Sequence, residues 1–121
     1  MKKLNTNKLT DKQADLFKNN LVYIATVDEN GNPQVGPKGS MTVLRPSHMQ
    51  YLEKTKGAAF ENIKNGSKVA LVAADVPSHT AVQVLATPHV HEDDEYAKKI
   101  VSGTDTPNAF VVVLDIDEIF E

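Results

Sequence analysis

Apolar positions change their spacing several times along the chain, and each change marks a predicted element. Leu21 to Val27 is rich in apolar and β-branched residues and runs into Asp28-Glu29-Asn30-Gly31-Asn32, a strong hairpin signal. Pro33 to Val35 begins the return strand, and Ser40 to Leu44 resumes it. Between them, Pro37 and Gly39 cannot sit in a regular central ladder, which predicts a bulge or bend. Arg45-Pro46-Ser47-His48 reads as a second turn, and Met49 to Leu52 as a third strand. Lys68 to Ala74 is almost entirely apolar, the pattern of a strand buried on both faces. Thr80 to Val90 alternates: Ala81, Gln83 and Leu85 share one face, Val82, Val84 and Ala86 the other. One of those faces belongs in a core and the other against a second layer or a partner. Phe110 to Ile116 reads as the last strand, with Ile119-Phe120 expected to dock on the surface.

Three short helices fall between these strands. Thr10 or Asp11 caps the first, which runs through about Lys18 with Ala14, Leu16 and Phe17 as its apolar residues. Thr55 or Gly57 opens the second, which places Phe60 and Ile63 three apart and ends in a left-handed cap at Asn65-Gly66. The acidic run Glu92-Asp93-Asp94-Glu95 starts the third, where negative charge complements the helix dipole, and the helix ends near Val101. Residues 1–8 are polar, with little fixed structure expected. Six strands, mostly joined by hairpins, and three helices predict a mainly β fold: a six-stranded antiparallel barrel with peripheral helices.

A chain of 121 residues predicts one domain, 1–121, long enough to bury a real core. A formal charge of −3 and the lack of a basic amphipathic stretch give no reason to expect nucleic acid or a membrane surface as partner. Cysteine is absent, which removes disulfides, thiol catalysis and cysteine-ligated metals. The N-terminal lysines precede no apolar run of the kind a signal peptide needs, so a cytoplasmic location is expected.

Two segments suggest ligand chemistry. Lys54-Thr55-Lys56-Gly57 offers two ammonium groups and a hydroxyl beside a helix start, donors suited to a phosphate, although a solvated basic turn has the same composition. Gly36-Pro37-Lys38-Gly39-Ser40-Met41 is a strand broken by glycines, whose exposed backbone can lie against a planar heteroaromatic ring. The two lie on successive strands, so their ends can converge. His89 and His91 at i and i+2 project to one face and, with Glu92 or Asp94, suit zinc; without a third histidine nearby they read as paired surface histidines, and no metal is expected. Ser78-His79-Thr80 lacks a nucleophile elbow and a placed acid, so hydrolysis is not supported.

The segments LVYIATVDENGNPQVGP, MQYLEKTKGAAFENIKNGSKVALVAAD and TAVQVLATPHVHEDDEYAKKI, in that order, resemble the pyridoxamine 5′-phosphate oxidase-like family of FMN-binding split barrels. The resemblance spans roughly Asp15 to Phe120. It implies a homodimer with FMN in a cleft between subunits and a small-molecule substrate or electron donor. It puts Pro37, Lys38, Gly39, Ser40 and Met41 beside the flavin, Glu53, Lys54, Thr55 and Lys56 at its phosphate, and Asn62 behind them; residues near His79 to Gln83 would close the site from the partner. The implied function is an FMN-dependent oxidoreductase, with a non-catalytic flavin- or ligand-binding module as the alternative. Gly36 and Pro37 stand where family oxidases carry an arginine, and Ala58 and Ala59 where a basic pair is frequent. The substrate-binding C-terminal extension is lacking, so oxidation of pyridoxamine phosphate itself is not expected.

Overall fold

The computed structural model describes all 121 residues. Helix α1 (Asp11–Asn19) is followed by strands β1 (Val22–Val27), β2 (Pro33–Lys38), β3 (Thr42–Arg45) and β4 (His48–Glu53). Helix α2 (Ala58–Lys64), strands β5 (Val69–Asp75) and β6 (Thr80–His91), helix α3 (Glu95–Val101) and strand β7 (Phe110–Phe120) complete the chain. The strands form one antiparallel sheet in the order β2-β1-β5-β6-β7-β4-β3. Its two edge strands, β2 and β3, are consecutive in sequence and joined only by Gly39-Ser40-Met41. Three residues span at most about 11 Å, so the sheet must curl until its edges lie close. Those edges do not pair, which leaves the barrel split.

The sheet therefore has seven strands where the sequence pattern predicts six. The difference lies at the predicted break: Pro37 still pairs with Tyr23, but pairing stops from Gly39 to Met41, so one bent strand becomes two on opposite edges. The second correction concerns the C-terminus. Leu85 faces Glu118 while its neighbour Ala86 faces Ile116, which leaves Asp117 as an extra residue in β7. This bulge shifts the alternation, so Val112, Leu114 and Ile116 point inward and Ile119 follows them, fully buried opposite Val84. Ile119 is core, not a surface dock. Residues 2–4 are also fixed: the Lys2 and Leu4 amides bond to the carbonyls of Glu121 and Ile119, 2.9 and 2.8 Å away.

The core fills the barrel with the inward residues of each strand, among them Ile24, Leu71, Val84, Met49, Tyr51 and Leu114. Helix α1 closes one side with Phe17; Thr10 and Gln13 form a reciprocal capping box at its start. Helix α2 buries Phe60 and Ile63 and ends where Gly66 takes the left-handed conformation at φ 99°. Helix α3 lies on the outer face, its Ala97 and Val101 packing on Ala109 and Val111. Strand β5 is not buried on both sides as its composition predicts. Val69, Leu71 and Ala73 are buried, but the outward Ala70 and Val72 are only half covered.

Candidate functional site

Strand β4 sends Met49, Tyr51 and Glu53 inward on alternate positions, so its last inward residue is a carboxylate with no solvent exposure. A buried carboxylate needs a cation and hydrogen bonds to persist. Lys38, the last residue of β2, supplies the cation: its Nζ lies 3.2 and 3.4 Å from the two Glu53 oxygens. The Lys56 amide (3.0 Å) and the Thr55 hydroxyl (3.4 Å) also donate to Glu53. This pair bridges the split, since Lys38 sits on one edge strand and Glu53 beside the other. Ser40 adds a second tie, accepting from the Leu52 amide at 3.0 Å and donating to the Leu52 carbonyl at 3.3 Å.

The glycine-broken segment and the basic loop therefore meet at one mouth of the barrel, as their position on successive strands predicts. Their individual residues divide into two groups. Lys38 and Glu53 are committed to one another, Glu53 also to the Lys56 amide, and Ser40 to the backbone of Leu52. The Met41 side chain is buried in the core. Asn62 is buried on α2, and its amide donates to the Thr26 hydroxyl at 3.0 Å; it braces α2 against β1. Pro37, Gly39, Lys54 and Thr55 remain at the surface. Lys56 is exposed but turned aside: its Nζ donates to the Asn108 carbonyl at 3.2 Å and lies 3.9 Å from the Phe110 ring centroid. Its backbone is left-handed at φ 52°, strain held in place by the amide bond to Glu53.

Gly36 and Gly39 carry negative φ, and a Cβ added at either meets nothing within 4 Å. The fold of the single chain does not require glycine at these places. Open space lies beyond the backbone at both positions. In charge, the Lys38 ammonium is paired with Glu53 and the Lys56 ammonium is turned to Asn108, which leaves Lys54 as the ammonium open to a phosphorylated flavin. The residues present are compatible with FMN, with Lys54 as the free donor for its phosphate and the Thr55 hydroxyl, shared with Glu53, beside it.

Sequence reasoning missed Tyr51. Its hydroxyl is buried without a hydrogen-bond partner, and Lys38 Nζ lies 5.1 Å from its ring centroid. Burial first, then the negative charge of Glu53, hold this phenol well above its ordinary range. The alternation of β4 carries the signal that could have found it, because it sets Tyr51 and Glu53 on the same inward face.

His89 and His91 share the outer face, as their spacing predicts, but serve different carboxylates. Asp115 accepts from His89 Nε2 at 2.8 Å and from His48 Nε2 at 3.1 Å, while His91 bonds to Asp94 at 2.7 Å. No cluster of three or more such groups is arranged to hold a metal ion. Ser78, His79 and Thr80 line a groove of about 830 Å³ against α1, which shares no residue with the mouth. There Ser78 Oγ bonds to Thr80 Oγ1 (2.7 Å) and to Asp75, not to His79. No helix is long and apolar enough to cross a membrane.

Comparison with known proteins places this geometry. The family model of pyridoxamine 5′-phosphate oxidase matches residues 9–121. A Lactobacillus delbrueckii protein solved as a candidate pyridoxamine 5′-phosphate oxidase is 78% identical over the whole of both chains, with a TM-score of 0.98. HupZ of Group A Streptococcus is 30% identical, covering 93% of this chain and 92% of its own, with a TM-score of 0.82. An FMN-binding protein of Syntrophomonas wolfei shares the fold at a TM-score of 0.68 and 16% identity, over 91% of this chain and 83% of its own. No curated protein matches. The chain belongs to the pyridoxamine 5′-phosphate oxidase-like family.

Proposed function

We infer that this chain is an FMN-binding split-barrel protein that works as a homodimer, an oxidoreductase of the pyridoxamine 5′-phosphate oxidase-like class acting on a small molecule. The observation that carries the reading is the mouth of the split. Two segments far apart in the ladder are tied into one surface by Lys38–Glu53 and Ser40–Leu52, in front of a backbone that glycine leaves open. When bound, the flavin supplies the hydride or electron chemistry, and the protein supplies position and electrostatics. The backbone of Pro37 to Gly39 lies along the ring. Lys54 and Thr55 meet the phosphate, and Asn62 holds α2 in place behind the loop. Glu53 and Lys38 fix the loop rather than touch the flavin.

A second copy has a surface to pair with. Val35, Ala25, Ala70 and Leu85 are successive partners across β2, β1, β5 and β6. They all lie on the outward face, where Val35 is 71% exposed, and Tyr23 beside them is 45% exposed. An apolar row of this kind on one sheet face supports a dimer interface.

Gly39→Ala separates the site from the fold. Because nothing crowds its Cβ, the variant should unfold no earlier than the parent, gaining up to about 1 kcal/mol from a stiffer unfolded chain. Its flavin fluorescence quenching should weaken markedly. Undiminished quenching in this variant would remove the ring from this backbone.

A further inference from the structure

The donors of the loop already hold an anion, and it belongs to the protein. The Glu53 carboxylate, fully buried, takes up the Lys38 ammonium, the Lys56 amide and the Thr55 hydroxyl. Lys56 Nζ, which could serve an external anion, is occupied by the Asn108 carbonyl and the Phe110 ring. Only Lys54, exposed and without a partner among the ion pairs, is left uncommitted. From this chain, a phosphate arriving here meets one flexible surface ammonium and a hydroxyl already shared. It also meets a negative charge a few ångströms behind them.

We propose that Glu53 acts as a built-in anion that makes this site nearly indifferent to the flavin's phosphate, so that the chain takes riboflavin and other unphosphorylated flavins about as readily as FMN. The inference rests on the flavin-binding reading above and specifies its ligand class. Two fresh charge-assisted hydrogen bonds to a phosphate would favour the phosphorylated ligand strongly, since such bonds are the stronger kind. Here those bonds are spent internally, and a single surface ammonium is worth little in water. Selectivity then comes from the ring, which the open backbone at Gly36 and Gly39 receives in either ligand.

The test is a fluorescence-quenching titration of the purified full chain with FMN and, separately, with riboflavin, followed by the same pair on Glu53→Gln. The two ligands should bind the parent within about threefold of each other, a gap far smaller than a well-made charged contact gives. Glu53→Gln should raise the affinity for FMN relative to riboflavin severalfold, because the donors are released to the phosphate; the ratio cancels any change in loop shape that both ligands feel. Should that variant fail to fold, Lys38→Met combined with Glu53→Gln removes both buried charges, leaves the Lys56 amide and the Thr55 hydroxyl as the released donors, and should shift the ratio in the same direction by less. FMN binding the parent more than about thirtyfold tighter than riboflavin would overturn the proposal while leaving the flavin site standing. So would a ratio that neither variant moves. Quenching by neither ligand would overturn the flavin site, and this proposal with it.

Discussion

The molecule holds two clusters of charged side chains built from similar parts, in opposite settings. At the mouth, Lys38 and Glu53 face each other with 15% and 0% of their side chains exposed. On the outer face, Asp115 joins His48 and His89 with 44%, 28% and 54% exposed. Distances are comparable, from 2.8 to 3.2 Å. Exposure is what differs, and it decides how much each contact matters. Water screens the outer cluster and competes for its hydrogen bonds. The mouth has little water to do either, so its members depend on each other. The mouth can therefore fix the shape of a loop, whereas the outer cluster decorates a sheet that its ladders already hold.

Breaking the mouth should produce the largest effect. Glu53→Ala leaves the Lys38 ammonium buried without its partner and releases the Lys56 amide, and should cost about 3–5 kcal/mol in urea unfolding. A loss below about 1 kcal/mol would put the two clusters on equal terms and refute the contrast.

Tyr51→Phe sharpens it from the other direction. The hydroxyl it removes has no partner, so stability at neutral pH should rise by about 1 kcal/mol. The same change should alter the alkaline limb. Because the folded phenol titrates above its ordinary value of 10.0, the unfolded chain loses this proton first. The parent's stability is thus full below pH 10 and falls as pH rises beyond it, and thermal melts from pH 8 to 11 should show Tyr51→Phe losing less over that range.

The smallest effect belongs outside. Asp115→Asn removes the carboxylate from both histidines, yet should cost less than about 1 kcal/mol, and less still in high salt.

Much of the fold is legible in the sequence because it is written locally. Thr10 caps α1, Asp28 with Gly31 makes the first turn, and the alternation from Ala81 to Ala86 separates the buried face of β6 from its half-covered one. Failures occur where a long-range event overrides a local pattern. Asp117 is an ordinary residue in sequence, and only its mismatch against Leu85 and Ala86 turns Ile119 inward. Lys2 and Leu4 look unstructured until the end of β7 offers them carbonyls.

The site shows the same division. That Gly36–Met41 and Lys54–Gly57 converge follows from their places on successive strands. That Glu53 captures Lys38 does not, because their contact depends on how far the split closes. The lysines of the loop advertise a phosphate site, while the carboxylate that pre-empts their neighbours stands one position before them and is hidden by its burial.

The central claim is that the mouth of the split, completed by a second copy, binds a flavin. The direct test adds FMN to the purified chain, removes the excess, and reads the visible spectrum together with the light-scattering mass. The account predicts a dimer carrying one flavin per chain, with resolved and shifted flavin bands and quenched fluorescence. A colourless protein, or flavin bands indistinguishable from free FMN, would contradict it.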